Sequence, residues 1–368
     1  MSKDRLDSRL KNQDICVTMK PELERRLAAI EIALGEVLPK VVTSAWTDTV
    51  AAGLRTPLDE KFIHKINAPN LELLNRGGKR WRPLVLELIY EICGGKDSNI
   101  RELSALVELP HNGSLIVDDI EDKAEERRGG PAIHLMFGTD LSINAGNFLY
   151  FLPTYILDRD SWDPLVKARI LHYYLRTMRR LHIGQGLDIQ WHNDHHFLPD
   201  TNSYLQMCRF KTGALSGLSA EVGAAAAGAD KATLEILGEI WEDIGVGFQI
   251  MDDVQNLTTG NPGKRRGDDL IEGKKSLPVI LHCGISTNQK DELMSRFQEI
   301  GTQGNKVTDD YLAGTIQLME ISGALKTAAK KAEELLNTAW NRMENHCPPS
   351  EARNLLEEMV QGFVKSLK

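Results

Sequence analysis

Apolar residues recur along most of this chain at three- to four-residue intervals, and sustained alternation is missing. That period marks helices that bury one face, not half-buried strands. Pro21 to Leu38 shows it behind a proline suited to a first turn. Leu71 to Leu74 runs into a break at Gly77-Gly78. Pro83 to Cys93 predicts the next helix, with proline in its first turn and Gly94-Gly95 as its stop. Arg101 to Asp122 predicts one long helix, which Pro110 should kink. Leu141 to Leu157, Pro164 to Trp191, Tyr204 to Gly228 and Lys231 to Leu257 follow, with loops at Arg127-Pro131, Asn193-Ser203, Thr258-Asp268 and Cys347-Pro349. The small residues from Gly223 to Ala229 permit close helix approach. The expected fold is all-α: a single large helical bundle around a central cavity, one domain over residues 21–368 behind a flexible N-terminus at residues 1–20.

Composition narrows the function. The 368 residues can bury a large core, and the net charge of −8 argues against general nucleic-acid binding. Five scattered cysteines (Cys16, Cys93, Cys208, Cys283, Cys347) form no metal-binding spacing, so they read as reduced thiols. The start lacks an apolar signal-peptide core. The longest uncharged stretch, Leu141 to Leu157, is interrupted by Asn144, Asn147 and Pro153, so no membrane span is expected. These points together predict a cytoplasmic protein.

The chemistry sits in two acidic clusters, Asp118-Asp119-Ile120-Glu121-Asp122 and Asp252-Asp253-Val254-Gln255-Asn256, each followed by cations. Carboxylates four residues apart share a helix face and repel each other. A hard divalent cation removes that penalty, and Mg²⁺ favours one or two carboxylates with phosphate oxygens. The clusters therefore read as a cage for a metal-bound diphosphate. Either cluster alone also fits a solvated acidic face. The apolar run Leu115-Ile116-Val117, leading straight into Asp118, argues against that. Upstream, Gly77-Gly78-Lys79-Arg80-Trp81-Arg82-Pro83 is a basic loop. His111 lies two helical turns before Asp118, on a similar face.

From about Pro57 to about Pro278 the chain resembles the trans-isoprenyl diphosphate synthases, through seven elements in order. They are GGKRxRP, HxxSLxxDDxxD, RRG, GQGLDI, KTG, FQxxDD, and GK followed by GDDLxEGKxSLP. Ser114 to Asp122, Ile143 to Phe151 and Gly184 to Trp191 are most similar to the eukaryotic-type geranylgeranyl diphosphate synthases. The resemblance implies an isoprenoid synthase type I fold and three Mg²⁺ ions, with Asp118, Asp122 and Asp252 as ligands. Arg127, Lys211 and Lys264 would contact the leaving diphosphate, with Lys274 a further substrate-binding residue. Gln249 and the backbone at Lys211-Thr212 would face the allylic cation. Lys79, Arg82, His111 and Arg128 would hold isopentenyl diphosphate without metal. Asn256 departs from the usual third Asp, which puts ligation there in doubt. Thr258 to Asp269 would be a moving loop.

Product length has its own residues. Gly113 and Ser114 are small where relatives stopping at C15 carry aromatics, so a tunnel is expected to continue past them. Tyr150, Phe151 and His182 match the deeper floor of the eukaryotic group, which implies a C20 product. Tyr150 and Phe151 fit ordinary core aromatics equally well. The substrates implied are isopentenyl diphosphate with dimethylallyl, geranyl or farnesyl diphosphate, in a homodimer or larger homo-oligomer. The alternatives are a farnesyl or longer-chain synthase, a class I terpene cyclase, and a non-catalytic regulatory subunit.

Overall fold

A computed structural model describes residues 21–194, 196–260 and 265–365. Among them the backbone is almost wholly helical, and the only strands are two residues each. In chain order the helices are α1 (Pro21–Val37), α2 (Ser44–Val50), α3 (Glu60–Asn75), α4 (Trp81–Ile92), α5 (Ala105–Glu121), α6 (Ile133–Phe137), α7 (Thr139–Leu149) and α8 (Pro164–Asn193). Then come α9 (Thr201–Cys208), α10 (Ala214–Ala226), α11 (Lys231–Leu257), α12 (Asp268–Ile271), α13 (Leu277–Cys283), α14 (Thr287–Gln303), α15 (Asp309–Ile321), α16 (Ala324–His346) and α17 (Glu351–Lys365).

Contacts divide the chain into two compact units. The first holds the described residues up to Arg176, with Leu218–Leu237 and Ser350–Leu356. The second holds Thr177–Gly217, Gly238–Pro349 and the residues from Glu357. Helices α8, α10, α11 and α17 contribute to both. The segment at residues 1–20 lies outside the described residues, as does Cys16.

In the first unit α5 packs most extensively on α7. Glycines permit this: a Cβ on Gly113 would meet the Gly146 carbonyl oxygen at 2.6 Å. Gly223 on α10 likewise presses on the backbone of Leu86 in α4, the close approach expected of the small-residue run. The long helix expected from Arg101 begins instead with a 3₁₀ turn, Ser98–Ser104, and continues as α5 with Pro110 inside it. The stretch Leu141 to Leu157 divides into α7 and a 3₁₀ segment, Leu152–Asp158, with Pro153 at its start. The expected Arg127-Pro131 loop is a minimal hairpin: β1 (Glu126–Arg127) pairs antiparallel with β2 (Gly130–Pro131). Its two turn residues, Arg128 and Gly129, have φ of 51° and 72°. That is the left-handed turn which suits the twist of paired strands. Arg76 binds it from α3, donating to the carbonyls of Arg127 and Pro131 at 2.8 Å each.

The second unit buries Leu257, Leu270, Phe297, Ile316 and Met319 between α11 and the helices that follow. The helix expected from Tyr204 to Gly228 is continuous but widens at Arg209–Gly213 into one π turn. The turn is closely packed on both sides. Gly184 of α8 lies against the Lys211 backbone too tightly for any side chain, and a Cβ on Gly213 would meet the Glu242 carbonyl at 2.8 Å. Arg209 anchors to Asp243 at 2.5 Å and Arg180 to Glu242 at 2.8 Å. Single π turns of this kind recur at functional sites.

Candidate active site

In the first unit the basic loop and the first acidic cluster come together through the hairpin. Asp118 and Asp122 lie one turn apart at the end of α5. Asp119 is fully buried and holds Arg127, which donates from Nε at 2.8 Å and also from Nη2. The same guanidinium lies 3.8 Å from Asp118. Asp119 thus fixes a cation beside the outward acids, a pairing that only the hairpin's return makes possible.

Arg128 reaches back from the turn to the Gly77 carbonyl and to Asn112 Oδ1 at 2.9 Å. Arg80 is buried and structural: it donates to Glu108 at 2.6 Å, Glu31 at 2.7 Å and the Leu74 carbonyl at 2.9 Å. Its φ of 48° turns the chain into α4 without a side-chain cap. Lys79 is exposed beside it.

Arg82, in that first turn, differs from its neighbours. It is 7% exposed, lies 4.5 Å from the Trp81 ring, and its Nε has no hydrogen-bond partner among the described residues. Burial lowers its pKa to about 10, against the pull of Glu108. Burial, then the charge of Arg80, does the same for Arg128, also to about 10. His111 is half-buried among Arg82, Arg128, Arg80 and Arg127. Burial first, then those cations, pushes its pKa well down, so it is neutral at physiological pH. These groups form a cationic cradle with an unmet demand for anion.

The second unit is arranged differently. Lys211, at the π turn, binds Asp188 of α8 at 2.5 Å. Thr212 donates to Gln249 Oε1 at 2.7 Å, and Gln249 Nε2 donates to Asp253 Oδ1 at 2.9 Å. Tyr204 donates to Asp253 Oδ2 at 2.6 Å. Burial raises the Asp253 pKa to about 6, with Asp252 and Asp188 adding to the rise and its hydrogen bonds opposing it. Asp252, one residue earlier, is half-buried.

Asn256 is fully buried, with its Oδ1 facing the Asp269 amide at 3.4 Å and its carbonyl accepting from Gly267 at 3.0 Å. It braces the chain after the loop. Arg265 and Arg266 tie the same chain to Asp309 at 2.8 Å and to the Leu257 carbonyl at 3.0 Å. Lys274 pairs with Glu272 and lies 3.9 Å from Asp269. Lys264 lies outside the described residues.

The chain-length residues divide. Tyr150 is buried, and burial raises its pKa with help from Glu121 and Asp118. Gly113 has a packing reason to be small, its contact with Gly146. Ser114 donates back to the His111 carbonyl at 2.9 Å. Phe151 is 69% exposed, and His182 is also exposed, with Nδ1 against the Met178 carbonyl at 2.9 Å.

Among the described residues no three His, Cys, Asp or Glu side chains gather as a ready-made metal cage. The donors present fit Mg²⁺ nonetheless. It binds through one or two carboxylates plus substrate phosphates and water, and Asp118 and Asp122 are such a pair.

Residues 63–313 match the family model for polyprenyl synthetases. The chain belongs to the polyprenyl synthetase family. It is thus a trans-prenyltransferase with the all-α isoprenoid synthase fold. It is 33% identical over 266 residues to a geranylgeranyl diphosphate synthase of Methanosarcina mazei, covering 72% of this chain and 75% of that one. It is 30% identical over 311 residues to a geranylfarnesyl diphosphate synthase of Aeropyrum pernix, covering 83% and 95%. Among solved structures it is similar to a polyprenyl synthase of Caulobacter crescentus CB15 complexed with calcium and isoprenyl diphosphate. The TM-score is 0.75 at 27% identity, over 93% of this chain and 97% of that one. Among the described residues no helix is long and apolar enough to cross a membrane.

The sequence reading missed Arg76, Arg80, Asn112 and Tyr204. All four act through contacts distant in sequence. Arg80 in the basic run after Gly77-Gly78, and the Arg-Gly pair at the turn, were the available signals.

Proposed function

We propose that this chain condenses isopentenyl diphosphate with dimethylallyl, geranyl or farnesyl diphosphate, and that it stops at geranylgeranyl diphosphate. The observation that carries this reading is Arg82. A buried guanidinium with an unpartnered Nε, at an uncapped helix start, is costly unless a multiply charged anion completes it. Arg82, Lys79, Arg128 and neutral His111 would take the isopentenyl diphosphate, with His111 donating one hydrogen bond rather than a charge.

Divalent metal use is the family's chemistry, and Mg²⁺ bound with the allylic diphosphate would neutralise charge on the leaving group. Asp118, Asp122 and Asp252 would hold it, as three ions. Arg127, held by Asp119, and Lys211, held by Asp188, would add fixed positive charge for the departing diphosphate. Lys264 and Lys274 would extend that set. As the allylic C–O bond ionises, the oxygens of Thr212 and Gln249 would face the cation. The double bond of the C5 substrate attacks it, and a proton leaves to the released diphosphate. Tyr150, the buried member of the three floor candidates, is the favoured stop for the growing chain. The exposed apolar residues Ile143, Phe151, Leu171 and Leu175 support a homodimer. We place the enzyme in the cytoplasm.

The test is to incubate pure protein with isopentenyl diphosphate, Mg²⁺ and each allylic starter, then measure diphosphate release and chromatograph the products. Release with a C20 product is expected, and its abolition by a chelator. No release with any starter would overturn the reading in favour of a regulatory subunit.

A further inference from the structure

Tyr204 lies on α9 and is 1% exposed. None of the seven sequence elements contains it. Its hydroxyl donates to Asp253 Oδ2 at 2.6 Å, which leaves Oδ1 for Gln249 Nε2 at 2.9 Å. An ionised carboxylate offers only acceptors. Gln249 must therefore turn its NH₂ group to Asp253 and its carbonyl oxygen to Thr212, whose hydroxyl donates to it at 2.7 Å. With the amide reversed, its oxygen would oppose a carboxylate oxygen.

We propose that Tyr204 is a positioning residue for prenyl transfer. By occupying one oxygen of Asp253 it holds that carboxylate in a single rotamer. The carboxylate sets the orientation of the Gln249 amide, and the amide sets the direction of the Thr212 hydroxyl. Tyr204 touches no substrate and transfers no proton; its effect is to aim two dipoles at the developing cation before the reaction begins. Without the hydroxyl, buried Asp253 loses a partner, turns, and lets the amide reverse.

This inference rests on the prenyl-transfer reading, and a mutant cycle separates the two. Tyr204→Phe, Gln249→Ala and the double variant are made in the full chain and assayed for steady-state condensation. Tyr204→Phe is expected to lower kcat about tenfold and leave KM for isopentenyl diphosphate unchanged. The same change in the Gln249→Ala background is expected to cost nothing further, since no amide remains to be oriented. A tenfold loss persisting in that background would show a merely structural role and overturn the proposal, as would wild-type kcat in Tyr204→Phe. Should Tyr204→Phe not fold, Asp253→Asn replaces it. That variant sets an NH₂ group against Gln249, is expected to lower kcat at least tenfold, and must likewise be silent beside Gln249→Ala. Wild-type protein that releases no diphosphate would overturn the function itself, whereas an active wild type with additive losses overturns only the role of Tyr204.

Discussion

The two units meet the same problem, buried charge, in opposite ways. In the second, each of the acids Asp188 and Asp253 is matched to a partner: Lys211 to Asp188, Tyr204 and Gln249 to Asp253. In the first, four guanidiniums crowd around His111, and Arg82 has an orphan Nε at an uncapped helix. A network already complete acts by orienting groups ahead of reaction, and one left incomplete acts by binding what completes it. Alteration of the second unit should therefore register in kcat and in stability. Alteration of the incomplete cradle at Arg82 should register in KM, with little harm to the fold.

The sharpest break would come at Lys211. Lys211→Ala removes fixed positive charge at the leaving group and is expected to lower kcat by roughly 10²–10³. It also strands buried Asp188, so the melting temperature should fall. An unchanged kcat would end the claim that this network is catalytic.

Next is Lys275, a buried cation in the second unit that donates to the Gly273 carbonyl at 3.0 Å and faces the Phe297 ring at 4.5 Å. Burial lowers its pKa from 10.5 to about 8. The folded state thus binds this proton more weakly than the unfolded chain does. The stability gain from deprotonation is complete above 10.5 and is lost as pH falls through 8. Relative to Lys275→Met, wild type should gain up to about 3 kcal/mol between pH 8 and 10.5, read by denaturant unfolding. A pH-independent difference would contradict the burial argument.

Arg82→Ala should raise KM for isopentenyl diphosphate about 100-fold, of order two charge-assisted hydrogen bonds, with kcat nearly retained. The ligand-free variant should melt no lower than wild type, because a poorly partnered buried charge has been removed. A clear fall in melting temperature would make Arg82 structural, like Arg80, and erase the contrast between the units. Gly113→Ala should destabilise by about 1–3 kcal/mol through its clash with the Gly146 carbonyl. Unchanged stability would return Gly113 to the tunnel reading.

Much of this was legible in the sequence because the signals are local. Helical periodicity, the one-turn spacing of Asp118 and Asp122, and proline and glycine punctuation all act within a few residues. They determined an all-α chain carrying diphosphate chemistry. The sequence also marked Lys79, Arg82, His111 and Arg128 as one group, but it did not separate Arg80, locked by Glu31 and Glu108, from Arg82, left unmet two residues on. That difference depends on which helices return past α4. The same holds for the π turn at Lys211, packed against Gly184 and Glu242, for Asn256 turned inward, and for Tyr204 behind Asp253. Charge spacing is written along one chain segment. Which charge is satisfied is decided by partners tens of residues away, and only packing brings those into hydrogen-bond range.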